Sequence, residues 1–350
     1  MMKYLLILML GFCSFCSRSQ TIDDAYKLYE NKQYREALNI ATKFVRNGKT
    51  ANSCALAGRL YVDIGQYDSS VSYLKCAIEE DMDQTWLSAW SHAYLGKAYI
   101  AMNNKKNGIE ELRNAVKLNK TKGSTAFAMQ LLEYVTDLPD WITVKKEHIN
   151  YYFQDTARWS SGMQMFIAAH DAAYISINRA FKAQLPNTLS FYVWNDTALA
   201  YKILKHPLGF TNMLQCVSNV TRNQTIGHEM THTLSYWGWG MEPMNETRFI
   251  SEGTAFAFDQ TKGDRMLAAK AAAKKTRIKS VTELWKVDTA NDAILYPVAG
   301  AFVAYLFKKS TPAQFKMLIK DQSIASAEKT YGKVLFNKLV TDFDRLLLAK

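Results

Sequence analysis

Thr225-Ile226-Gly227-His228-Glu229-Met230-Thr231-His232-Thr233-Leu234 is the stretch of this 350-residue chain from which the rest can be read. On a helix, residues i and i+4 lie one turn apart on the same face, so the imidazoles of His228 and His232 can reach one metal ion. Glu229 is turned by about 100° from His228 at ~3.6 residues per turn. It therefore stands beside such an ion, where a carboxylate can take a proton from water. The pentapeptide H-E-x-x-H also arises on ordinary helices, where the histidines form a packed pair, so a third donor is needed. Ile250-Ser251-Glu252-Gly253-Thr254-Ala255 supplies one, with Glu252 at the start of a second helical stretch.

Together these residues resemble the gluzincins, the thermolysin-like and aminopeptidase N-like zinc peptidases. In that family the third ligand is a Glu on the helix after H-E-x-x-H, followed by Gly and a small residue. The match is to the thermolysin-like spacing. The resemblance implies one Zn2+ held by His228, His232 and Glu252, with Glu229 as general base. Two imidazoles and a carboxylate leave a fourth position for water, as in catalytic rather than structural zinc sites.

Tyr296-Pro297-Val298-Ala299-Gly300-Ala301-Phe302-Val303-Ala304-Tyr305-Leu306 resembles the aminopeptidase N-like segment that carries the transition-state tyrosine. On that resemblance Tyr296 donates its hydroxyl to the oxyanion. Ala299 stands where the family has Gly, and the bland reading makes Tyr296 and Tyr305 helix-packing aromatics. The family's G-x-M-E-N anchor for a free amino terminus has no counterpart in Gly209-Phe210-Thr211-Asn212-Met213-Leu214-Gln215-Cys216, which lacks the Glu. Gly240-Met241-Glu242-Pro243-Met244-Asn245 looks similar but falls after the helix. An endopeptidase is thus favoured over an aminopeptidase, with substrate laid as an extra strand along residues 209–217. His92 and His170 read as packing residues. His148 and His206 can line a cleft, although nothing in their spacing requires it. Tyr236-Trp237-Gly238-Trp239-Gly240 reads as a buried turn, or else as a pocket wall.

Around this centre, strands are expected at 148–153, 189–194 and 211–217, and a long helix at 158–181. Upstream the pattern is helical and repeats. Ala25, Gly58 and Gly96 occupy equivalent places, each with Tyr and Leu around it, and Ala77 and Ala115 repeat the second interval. This resembles the tetratricopeptide repeat, in which small residues let paired helices touch and the stack presents a concave surface. A helix over 124–136 caps the stack, and Leu138-Pro139-Asp140 ends it. The expected fold class is mostly α, a tetratricopeptide-like α-solenoid over 20–137 followed by an α+β gluzincin metallopeptidase domain over 138–350.

The first 19 residues read as an export signal: Lys3, a short apolar core over 4–12, and Ser17 and Ser19 before a cleavage point. The expected location is periplasmic or extracellular. Lipid anchoring is disfavoured, because Cys13 and Cys16 each follow a bulky Phe. Of the remaining cysteines, Cys54 and Cys76 can face each other across a helical hairpin, but buried free thiols are the more ordinary outcome. Hydrophobic residues at 48% and aromatics at 13% exclude wholesale disorder. The net charge of +11 is spread along the chain without a nucleic-acid-binding motif, and no stretch is long enough for a membrane span. The function expected is an exported zinc peptidase acting on a peptide or protein, with a protein partner or substrate recruited by the repeats. The alternative is a repeat-based binding module whose peptidase-like domain is idle.

Overall fold

The computed structural model describes residues 20–135, 140–155, 162–239, 243–276, 278–287 and 290–349. The expected export signal, the stop at 138–139, the start of the 158–181 helix and the first half of the 240–245 look-alike lie outside them. The chain divides into two compact units that meet in sequence at Glu133 and Tyr134.

The first unit is a row of helices: α1 (Ile22–Glu30), α2 (Tyr34–Asn47), α3 (Ala51–Asp63), α4 (Tyr67–Glu80), α5 (Trp86–Ala101), α6 (Lys105–Leu118) and α7 (Lys122–Val135). Their starts follow from local chemistry. Thr21, Thr50, Thr85 and Asn104 each accept a backbone N–H of the turn they cap. Successive helices from α1 to α6 pack on one another. Close approach depends on missing side chains. A Cβ on Gly58 would stand 2.6 Å from Leu74 Cγ, and one on Gly96 would stand 2.7 Å from Leu112 Cγ. The same glycine–leucine contact therefore recurs in the α3/α4 and α5/α6 pairs. Cys54 and Cys76 form a disulfide between α3 and α4, with Cα atoms 5.9 Å apart. This corrects the expectation of free thiols. The helix pair already holds Cys54 and Ala77 in one buried cluster, which brings the sulfurs within bonding reach.

The second unit combines a mixed sheet with ten further helices among the described residues. Its elements are β1 (Ile142–Lys145), β2 (Ile149–Phe153), α8 (Gly162–Phe181), β3 (Leu189–Trp194), α9 (Thr197–Leu204), β4 (Phe210–Asn212) and β5 (Val217–Thr221). There follow α10 (His228–Gly238), α11 (Arg248–Phe258), α12 (Arg265–Ala273), α13 (Val281–Trp285), α14 (Asp292–Lys309), α15 (Pro312–Lys320), α16 (Ile324–Tyr331) and α17 (Lys333–Leu348). The strand order is β1-β2-β3-β5-β4, with β2, β3 and β5 parallel and the two borders antiparallel to their neighbours. Alternation sets the faces. Ile149, Tyr151 and Phe153 of β2 and Leu189, Phe191 and Val193 of β3 are buried against α8 and α10, through Ile167, Ile177, Phe181, Met230 and Leu234. A separate core joins α11 to α14, α15 and α17 through Phe249, Phe302, Phe315 and Phe343.

The strand expected over 211–217 is instead two strands joined by a turn. Cys216 takes a left-handed φ of 56°, and Asn212 Oδ1 accepts the Gln215 N–H. Tyr236 and Trp237 belong to α10 rather than to a turn. No described helix is long and apolar enough to cross a membrane.

Candidate metal centre

Helix α10 begins at His228 because Gly227 precedes it with a φ of +91°, a conformation costly for any residue bearing a Cβ. The space is also closed: a Cβ there would lie 2.9 Å from Ile177 Cδ1 and 3.3 Å from Asp259 Cα. His232 follows one turn later, and the two rings are 5.2 Å apart. Helix α11 brings Glu252 to them. Gly253, beside it, lets α11 press on α14, since a Cβ there would meet the Ala299 backbone at 3.0 Å.

The three side chains converge. Glu252 Oε2 is 3.2 Å from His228 Nε2 and 3.6 Å from His232 Nε2, and all three donor atoms lie within 4.8 Å of one another. With zinc–ligand bonds of about 2.0–2.2 Å, tetrahedral donors stand about 3.3–3.6 Å apart. The donor set and its spacing thus fit a zinc ion, and the arrangement is that of a zinc-protease-like metal-dependent catalytic site. It is the one group of three or more metal-competent side chains among the described residues.

Electrostatics support the same reading. Burial pushes the Glu252 carboxyl up, but hydrogen bonds from His228 and His232 overcome this and hold it well below the usual carboxylate range. Burial pulls the His228 imidazole down, but Asp259, Glu252 and Glu229 raise it to about 10. A cation entering here meets an acidic group, and an imidazole ligates only in its neutral form, so metal and proton compete for His228.

Comparison with protein-family models gives no match for this chain, and no curated protein matches it either. The site therefore stands on its geometry.

Glu229 is nearly fully buried. Tyr296, in the first turns of α14, lies over His228 with ring centroids 5.9 Å apart. Its hydroxyl bonds to Glu252 and receives a hydrogen bond from Arg248, which is itself paired with Asp292. Burial is the main reason that its phenol is pushed up to about 12. Tyr305 packs on Phe343 away from the site.

The remaining histidines serve elsewhere. His92 does more than pack, because its Nδ1 bonds Glu111 at 2.6 Å. His170 is buried and bonds the Phe166 carbonyl. His148 stacks on Tyr174, and His206 bonds the Pro207 carbonyl.

Three contributors escaped sequence reasoning. Asp259 Oδ2 is buried without a hydrogen-bond partner and faces His228 Nδ1 at 3.8 Å, while Oδ1 is held by Arg265 and the Thr261 N–H. Such a carboxylate orients a ligating imidazole through its second nitrogen. Thr211 and Gln224 donate to Glu229. Asp259, the residue that ends α11, follows Glu252 by about two helical turns, a spacing that could have flagged it. Thr211 and Gln224 carried no such signal.

Proposed function

We propose that this chain is an exported zinc-dependent peptidase of the gluzincin type, favouring internal peptide bonds, with tetratricopeptide-like repeats that recruit substrate or a partner. The observation that carries this reading is the convergence of His228, His232 and Glu252 with the Glu229 carboxylate one residue away on the same turn.

His228, His232 and Glu252 would hold the zinc, which when bound supplies Lewis acidity and lowers the pKa of water toward ~7. Glu229 takes the proton from water as it attacks the peptide carbonyl and passes it to the leaving amine. Tyr296, held protonated by its raised pKa, donates a hydrogen bond to the oxyanion of the tetrahedral intermediate. The border strand β4 lies beside α10, and its outer backbone groups suit an extended substrate added as a further strand. The missing anchor carboxylate in residues 209–216 favours endopeptidase action. Export agrees with a disulfide in the first unit, since such bonds persist in oxidising compartments.

The test is metal analysis of the purified protein with a peptide-library cleavage assay, with and without chelator. Near-stoichiometric zinc is expected, lost in His232→Ala. Glu229→Gln should keep zinc and lose about 100-fold or more in turnover. Unchanged turnover in that variant would remove Glu229 from its role, and a zinc-loaded protein that cleaves nothing would leave an idle domain on a binding module.

A further inference from the structure

Glu229 is 3% exposed, and a carboxylate so buried must be hydrogen-bonded. Its oxygens are served separately, from two places outside its own helix. The Thr211 hydroxyl, on β4, donates to Oε2 at 2.8 Å. The Gln224 amide, in the loop between β5 and α10, donates to Oε1 at 3.0 Å. Both donors are neutral, and among the described residues no lysine or arginine forms an ion pair with Glu229.

We propose that Thr211 and Gln224 are positioning residues that together fix the Glu229 carboxylate for proton transfer. This rests on Glu229 being the general base.

The surroundings are built to serve the two donors. Thr211 and Ser218 face each other in the β4–β5 register, with hydroxyl oxygens 2.9 Å apart. Thr211 has one hydroxyl hydrogen, and it is directed at Glu229. The hydrogen between the two hydroxyls therefore comes from Ser218, giving a row from Ser218 through Thr211 to the carboxylate. Ser218 is fully buried and Thr211 half-buried, so the inner end of the row is held away from solvent. Gln224 has room because residue 209 is glycine. A Cβ there would come within 3.0 Å of Gln224 Oε1, and the φ of +87° at Gly209 further disfavours any side chain.

Each carboxylate oxygen offers two lone-pair directions. With one direction on each committed to a neutral donor, the plane and rotation of the carboxylate are set, and a second direction on each is left for water. Thr211 also belongs to the border strand, so any displacement of β4 is transmitted to the base.

The experiment compares Thr211→Val, Gln224→Leu, their double variant and Thr211→Ser. Crystal structures report the Glu229 carboxylate, metal analysis reports zinc, and steady-state kinetics use a peptide that the wild type cleaves. The carboxylate should rotate away in the double variant while zinc stays near stoichiometric. Each single variant should lower kcat by about 10- to 100-fold, as expected for a misplaced reacting group, with KM within about twofold. Thr211→Ser keeps the hydroxyl and should recover most of kcat. Gln224 lies in a half-buried loop, so its variant serves even if Thr211→Val, which strands Ser218, fails to fold.

An unmoved carboxylate in the double variant, or in Gln224→Leu if only that variant folds, overturns the proposal. So does unchanged kcat in the single variants, or a loss in Thr211→Ser as large as in Thr211→Val. If the wild type cleaves no peptide, the peptidase reading fails separately, and the crystallographic comparison alone decides whether these residues place Glu229.

Discussion

Asp259 shows how much of a metal centre lies behind its ligands. Arg265 bonds its Oδ1, the Asp259 carbonyl and the Phe256 carbonyl, so one arginine both closes the end of α11 and aims the carboxylate at His228. Asp259→Asn keeps the shape and removes the charge. Zinc affinity, measured by chelator competition, should fall about 10- to 100-fold. At Tyr296 the expected loss is catalytic. Tyr296→Phe should lower kcat by about 100-fold with little change in KM, because the role proposed for the hydroxyl is to act on charge that develops in the transition state. An equal rise in KM would instead assign Tyr296 to substrate binding. His228 and His232 were legible in the sequence because helical periodicity converts spacing into direction, and Glu252, on a different helix, was reached through the family resemblance. Thr211 and Gln224 were not, since their meeting with Glu229 depends on how a strand border and a loop pack beside α10, which no local period encodes.

At the scale of elements, the start of α5 is set by Asp81. Its Oδ2 accepts the backbone N–H and hydroxyl of both Thr85 and Ser88, at 2.7–3.0 Å. Burial pushes this carboxyl up, but the four donors outweigh burial and lower it from its ordinary value. A depressed folded pKa stabilises the fold above the unfolded value near 3.8 and ceases to do so as pH falls through the folded value. Asp81→Ala should therefore cost about 2 kcal/mol at neutral pH. In denaturant titrations the gap from wild type should narrow below pH 3.8. Elements were read best where one pattern ran unbroken. The alternation of β2 and β3 matched its expectation, and so did the helix through His228. The 211–217 segment was misread because its reversal uses neither glycine nor proline. Asn212 and a left-handed Cys216 make the turn instead.

On the scale of the whole molecule, the two units carry different stabilising devices. The disulfide closes a segment of 22 residues in the first unit, which in the chain-entropy account is worth about 3 kcal/mol. On the proposed zinc site, zinc at 100 times its dissociation constant should stabilise the second unit by about 2.7 kcal/mol. Calorimetry should show two transitions. A reductant should lower the one assigned to the helical unit, and a chelator the one assigned to the unit bearing the site. A single transition shifted alike by both agents would contradict separate cores. The recurrence of small residues made the helical row legible, whereas the cysteine bridge depended on side-chain direction that spacing does not supply.

The β1 border has a further consequence. It is mostly exposed along its length and ends at Lys145, with Lys146 next in the chain. A second polypeptide docking there would have to strip water from two ammonium groups while repelling its own copy of them. The sheet is therefore guarded against fibril-like stacking on that side, whereas the opposite border, β4, is the one to which the proposed function assigns substrate.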